Sequence, residues 1–208
     1  MVLAAGRGSR FGGTHHKLAQ SLGEETVLGS TLANALASGL PVVVVTTAAL
    51  MPLVQDMVAM RDIVLLPPVG SRTGDPLGMG WSIAAGVGAR ANAGGWLILP
   101  GDMPLVRPGT LVAVAEALRQ HPVAYAQHRG RRGHPVGFQR ELVNELMALQ
   151  GDEGARRLVG RYPAAGVEVD DPGVLIDLDT PEDLAAARAR WQDMPVTVPT
   201  APGVLRET

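Results

Sequence analysis

The chain contains no cysteine. That absence excludes disulfides, thiolate metal centres and cysteine nucleophiles together. Aromatic residues are scarce: three Trp, two Tyr and two Phe in 208 residues. Core volume must then come from Ala, Val, Leu and Met, which suits helices packed on a parallel sheet. Net charge is only −2, so no basic surface is expected for nucleic acid or for an anionic membrane. No apolar run is long enough to cross a bilayer. The N-terminal run reads as a strand and shows no signal-peptide pattern, so a soluble cytoplasmic protein is expected. No internal repeat is visible. The length suits one domain with a full core, assigned to 1–192. Pro195, Pro199, Pro202 and Gly203 mark 193–208 as a Pro-rich tail that is not forced into structure.

What the chain does have is concentrated near its start. A short apolar strand, Val2 to Ala5, runs into Gly6, Arg7, Gly8, Ser9, Arg10, Phe11, Gly12 and Gly13, with Lys17 just beyond. Glycines let backbone approach a ligand closely. Successive N–H groups in such a loop form an anion-binding concavity. Arg7, Arg10 and Lys17 add cations, and Arg can grip phosphate oxygens bidentately. The stretch reads as a polyphosphate cradle. Two familiar glycine loops fail on spacing. Phe11 stands where the third Gly of the dinucleotide fingerprint belongs, and no acidic residue ends a second strand at Val45. Lys17 lies four residues past Gly13, too far for a P-loop. An ordinary strand-to-loop turn with surface cations is the plain alternative.

Along the rest of the chain, short apolar runs alternate with helical patterns, the sign of a mostly parallel α/β sheet. Strands are expected at 42–45, 63–66, 96–99, 123–126, 166–169 and 174–176. Helices are expected at 31–38, 52–60, 82–90, 108–120, 141–149, 154–159 and 181–192. Gly39 is placed as a C′ residue. Residues 67–77 form a Pro/Gly loop long enough to face a ligand. Residues 127–133 read as a polar surface hairpin. Thr180, Pro181, Glu182 and Asp183 form a helix start with a Thr cap, Pro at N1 and acids in the first turn.

Asp102 follows the strand that ends at Leu99. Ligands in open α/β sheets sit beyond the carboxyl ends of strands, so Asp102 and the glycine stretch share one edge. A carboxylate there suits Mg2+, which takes one or two carboxylates plus phosphate oxygens. A turn carboxylate is the bland alternative. Asp177 closes the strand expected at 174–176 and is read as the second metal carboxylate. Asp179 is read as structural support; it shares a face with Asp177 if the strand continues, or else caps the following helix. Ser82 is expected to cap its helix. His15 and His16 default to exposed loop residues. The histidines show no zinc spacing.

The run from Leu3 to Gly12 with Lys17 resembles the signature of the NTP-transferase superfamily. So do Gly78 to Ile83, Leu99 to Pro104, Gly133 to Val136, Gly151 to Arg156 and Asp177 to Asp183. Within it the chain is most similar to the molybdenum-cofactor nucleotidyltransferases, the molybdopterin cytidylyltransferase-like branch. The resemblance extends to about Trp191. It implies a three-layer α/β/α Rossmann-like fold and transfer of NMP from an NTP to the terminal phosphate of molybdopterin, with CTP favoured over GTP. It also implies nucleotide contacts at Leu3, Ala4, Ala5, Gly6, Arg7, Gly8, Gly80 and Ser82, and catalytic Arg10, Lys17 and Asp102. Mg2+ would be held by Asp102 and Asp177. His134 either contacts the acceptor or shapes its loop. Product would be handed to a molybdoenzyme or its chaperone. A sugar-phosphate pyrophosphorylase and a non-catalytic nucleotide-binding module are the competing readings.

Overall fold

The computed structural model describes residues 1–6, 16–67, 78–152 and 154–192. In chain order these form β1 (Val2–Ala4), β2 (Ser21–Leu22), β3 (Glu25–Thr26), α1 (Val27–Ala37), β4 (Val44–Thr47), β5 (Ile63–Leu66), α2 (Met79–Gly88), β6 (Gly95–Pro100), α3 (Pro108–Ala117), β7 (Val123–His128), β8 (Arg131–Gln139), α4 (Val143–Met147), α5 (Arg156–Arg161), β9 (Ala164–Glu168) and α6 (Pro181–Gln192). The expected tail at 193–208 lies outside the described residues.

Among the described residues the main sheet has seven strands in the order β5-β4-β1-β6-β8-β7-β9. β5, β4, β1 and β6 run parallel. β8 is the reversed strand, antiparallel to β6 and β7, while β9 rejoins the common direction beside β7. Alternation of side chains across the pleat supplies both faces. Val2 and Ala4 of β1 enter a core with Leu28 and Leu32 of α1, Leu111 of α3, and Leu184 and Ala187 of α6. Leu3 packs towards the other face, where Ile83 and Val87 of α2 meet Leu146 of α4 and Leu158 of α5. The α/β/α sandwich expected from the sequence is therefore the observed fold. Among the described residues no helix is long and apolar enough to cross a membrane.

Several element boundaries depart from expectation. α1 starts four residues early because Thr26 caps it, its hydroxyl accepting from the Gly29 N–H at 2.9 Å; Gly39 does take φ +72° just past its end. No helix forms over 52–60. Isolated 3-10 turns stand at Met51–Leu53 and Met60–Asp62 instead, with Val54 and Val58 in the core and no side-chain cap at Leu50 or Ala59. The segment expected as a strand at 174–176 is largely a 3-10 turn, Pro172–Leu175, opened by the Asp171 side chain accepting from the Gly173 N–H. Asp177 therefore follows a turn, not a strand.

Candidate active site

A cleft of about 900 Å³ opens at the carboxyl edge of the parallel strands. Ala5 and Gly6 reach it from β1, and Gly101 and Asp102 from β6. Because β8 is reversed, its first residues, Arg131 to His134, arrive at the same edge. The β6–β8 register ends with Ile98 opposite Val136, and the His134 ring bonds the Ile98 backbone just beyond it. A second, mostly apolar cavity of about 630 Å³ lies at the opposite strand ends, beside Val2, Val43 and Gly95.

Asp102 is set by its backbone neighbours. Gly101 donates its N–H to the Leu3 carbonyl at 2.8 Å, and the Asp102 carbonyl accepts from the Leu178 N–H at 3.0 Å. From α1, the Thr31 hydroxyl donates to the Gly101 carbonyl at 2.9 Å and the Asn34 amide to the Pro104 carbonyl at 2.7 Å. Gly101 lets the turn lie close on β1: a Cβ there would stand 3.0 Å from the Leu3 oxygen. The carboxylate is thus held on a rigid frame.

Lys17 brings two carboxylates together. Its ammonium donates to Asp102 Oδ2 at 2.6 Å and to Asp179 Oδ1 at 2.7 Å. The side chains of Lys17, Asp102 and Asp179 are 15%, 16% and 32% exposed, so solvent screens the cluster only in part. Burial alone would lower the Lys17 pKa; Asp102 and Asp179 outweigh it and hold the ammonium above its ordinary 10.5. Lys17 therefore stays charged at neutral pH. The other oxygen of Asp102, Oδ1, is buried with no hydrogen-bond partner among the described residues.

Asp179 does not cap the helix after it. Thr180 and Asp183 build that cap: the Asp183 carboxylate accepts from the Asp179 and Thr180 N–H groups, and Thr180 Oγ1 accepts from the Asp183 N–H. The Asp179 carboxylate faces Lys17 instead. Asp177 is exposed and lines the cleft near His134. The pair that converges on one cationic group is thus Asp102 with Asp179.

His16 plays a part that sequence reasoning missed. Its Nδ1 accepts from the Leu18 N–H at 3.2 Å, which leaves Nε2 as the protonated nitrogen, 2.8 Å from the Gly6 carbonyl. One ring ties the end of β1 to the turn carrying Lys17. Two adjacent histidines in a loop gave no pattern from which to read this. Arg7, Gly8, Arg10, Gly12, Gly13 and His15 lie outside the described residues. Leu3, Ala5 and Gly6 line the cleft; Ala4 is buried beneath it.

On the other wall, α2 starts at Met79 with Gly78 as its N-cap, so Ser82 sits within the first turn and is not the cap. The glycines here answer to packing. A Cβ on Gly78 would run into the Gly151 carbonyl, and one on Gly80 would stand 2.7 Å from the Gln150 oxygen. The Gly80 N–H donates to the Gly151 carbonyl at 2.9 Å. Residues 150–152 thus dock on the start of α2 and carry Asp152 to the cleft. Gly78 has φ −87°, which any residue adopts, so the cost of a side chain there is purely steric. Gly78→Ala is expected to destabilise the fold by about 1–3 kcal/mol, read as a lower urea midpoint. An unchanged midpoint would show that the 150–152 docking is loose.

Gly133 follows the same logic, since its Cβ would strike the Val174 carbonyl. It lets the start of β8 lie against the 172–175 turn and leaves His134 half-buried in the cleft wall. Burial lowers the His134 pKa below its ordinary 6.5; Arg132 adds to this, while the Ile98 backbone, Asp102 and Asp177 oppose it. His134 is accordingly neutral at pH 7. Below pH 6.5 the unfolded chain takes up a proton that folded His134 resists, so its contribution to stability falls with falling pH. His134→Gln should flatten the urea midpoint between about pH 7 and pH 5. An unaltered slope would assign the dependence to another group.

These features coincide with what the chain is similar to. Over 199 residues it is 32% identical to the purine catabolism protein PucB of Bacillus subtilis (strain 168), covering 90% of this chain and 94% of that one. Over 122 residues it is 34% identical to a phosphoenolpyruvate guanylyltransferase of Mycolicibacterium gilvum (strain PYR-GCK), covering 58% of this chain and 53% of that one. Among solved structures, Rv0371c of Mycobacterium tuberculosis H37Rv superposes with a TM-score of 0.73 at 29% identity, covering 90% and 96% of the two chains. A manganese complex of Rv0371c gives 0.70 at 27%, with the same coverage. The family model for the MobA-like NTP transferase domain matches residues 1–166, and with the cleft placed at the strand ends as described, the chain belongs to that family of nucleotidyltransferases.

Proposed function

We propose that the protein transfers the nucleotidyl group of an NTP to the terminal phosphate of molybdopterin, with CTP favoured over GTP. The observation that carries the transfer reading is the Lys17 ammonium between Asp102 and Asp179, at the strand edge where the glycine-rich stretch begins. The acceptor and the base rest on the motif resemblance. In the reaction, an acceptor phosphate oxygen bonds to the α-phosphorus. The bond from the α-phosphorus to the bridging oxygen breaks, and its electron pair leaves with pyrophosphate. The attacking phosphate is ionised at neutral pH, so no side chain needs to take a proton. Lys17 and Arg10 would neutralise charge on the phosphates, and the nucleotide would lie along Leu3 to Gly8, with Gly80 and Ser82 on the far wall. Neutral His134 would meet the acceptor.

A divalent cation fits the donor set, because two carboxylates converge on one cationic centre and Asp102 Oδ1 lacks a partner. Asp102 and Asp179 would hold Mg2+, with Asp177 at the rim. When bound, such an ion supplies charge neutralisation at the transferring phosphoryl group. The domain assignment, 1–192 with a tail, and a cytoplasmic location complete the proposal. Handover of product to a molybdoenzyme or its chaperone would follow.

The mycobacterial guanylyltransferase relative favours one other reading, guanylyl transfer to a small phosphorylated acid. The test is pyrophosphate release from CTP, GTP, ATP and UTP, each with molybdopterin, with phosphoenolpyruvate and with sugar 1-phosphates. Release with CTP and molybdopterin supports the proposal. Release with another pair reassigns the substrate. Nucleotide affinity without release from any pair would make the protein a binding module.

A further inference from the structure

Asp102 Oδ2 and Asp179 Oδ1 lie on two sides of a single nitrogen, 2.6 and 2.7 Å from it. Mg2+ binds carboxylate oxygens at about 2.0–2.1 Å. An ion drawing on these two oxygens must take the space the ammonium fills, and two cations so close repel strongly where solvent screening is partial. Lys17 also satisfies by itself much of the negative charge that would attract a metal. The base of its side chain is fixed, since Leu18 is buried and the preceding His16 is tied to Gly6.

We propose that Lys17 holds the cation seat shut in the nucleotide-free protein, and that the triphosphate opens it by drawing the ammonium onto phosphate oxygens. Metal binding is then conditional on nucleotide. Asp102 and Asp179 exchange one cation for another, and the cluster is never left as two bare carboxylates. Asp102 Oδ1, buried and unpartnered beside the ammonium, is the further oxygen available to the incoming ion. This inference rests on the nucleotidyl-transfer reading only for the identity of the ligand that moves Lys17.

The test is Mn2+ binding to the full chain, followed by the electron paramagnetic resonance signal of free Mn2+, with no acceptor and no turnover. Without nucleotide, the wild-type protein should bind Mn2+ weakly. Lys17→Met should bind it at least about tenfold more tightly, because the competing charge-assisted bonds are gone. Adding Asp179→Asn to Lys17→Met should remove that gain. A non-hydrolysable CTP or GTP analogue should give the wild-type protein tight Mn2+ binding beyond that of the analogue alone. Equal Mn2+ affinity of nucleotide-free wild type and folded Lys17→Met would overturn the proposal. If Lys17→Met fails to fold, the wild-type titrations decide: tight binding without nucleotide overturns it, and a gain that needs the analogue supports it. Failure of the transfer reading would show separately, as absent pyrophosphate release with the Lys17→Met gain in Mn2+ affinity intact.

Discussion

Asp102→Asn should lower turnover by about a hundredfold at saturating divalent metal while the protein stays folded. Asn has nearly the same shape, and the frame around residue 102 is made by backbone groups and by Thr31 and Asn34, none of which contacts the carboxylate. Lys17 keeps Asp179 as a partner. The change therefore removes one negative charge at the transfer site and little else. A hundredfold loss corresponds to about 3 kcal/mol of transition-state stabilisation, within what a positioned metal supplies. Partial rescue by raised Mn2+ would place the defect in metal affinity. Steady-state pyrophosphate release, with circular dichroism as the folding control, makes the measurement. Near-wild-type turnover in a folded variant would reduce Asp102 to a turn residue.

Lys17→Ala should weaken triphosphate binding by about ten- to a hundredfold and slow the chemistry as well. A charge-assisted phosphate contact contributes about 1.5–3 kcal/mol, and this ammonium is charged across the neutral range. The variant also removes the ammonium that holds Asp102 and Asp179 together. Its melting temperature should drop, and Mn2+ should restore it more than it raises that of the wild type, since binding to the folded state alone is stabilising. Isothermal titration with a triphosphate analogue and thermal melts with and without Mn2+ report the two effects. Unchanged nucleotide affinity and rate would remove Lys17 from the site.

The sequence was most legible where local chemistry and tertiary demand agree. The strand 63–66 has the expected bounds, and the helix at Pro181 starts where Thr180 and Asp183 cap it. β8 was missed because 127–133 read as a polar surface hairpin and no strand was placed after it. Pairing with β6 and β7 on both sides overrides those signals. The site was legible in type more than in arrangement. Asp102 and Lys17 stood out by position, but no spacing rule announces that Lys17 reaches across to residues 102 and 179. Their meeting is built by the Leu178 N–H donating to the Asp102 carbonyl and by His16 tying the Lys17 turn to Gly6. Gly80 was expected beside the nucleotide because of its motif. Gly78, Gly80 and Gly133 also allow backbone-to-backbone approaches within the protein, which one sequence does not reveal.

The reversed strand has a consequence for synthesis on the ribosome. β6 gains β1 as a neighbour at once, but its other edge stays open until residues 131–139 emerge. β7 emerges earlier and has no strand beside it until β8 arrives to join the two. A nascent chain halted after about residue 128 thus carries two apolar strands with unpaired edges, a template for association with other chains. Slowing translation once β8 has emerged would let it join β6 to β7 before α4 and α5 follow. A pause before β8 emerges would do the reverse, so the codons read while 129–139 leave the ribosome are a sensitive point for soluble yield in a foreign host.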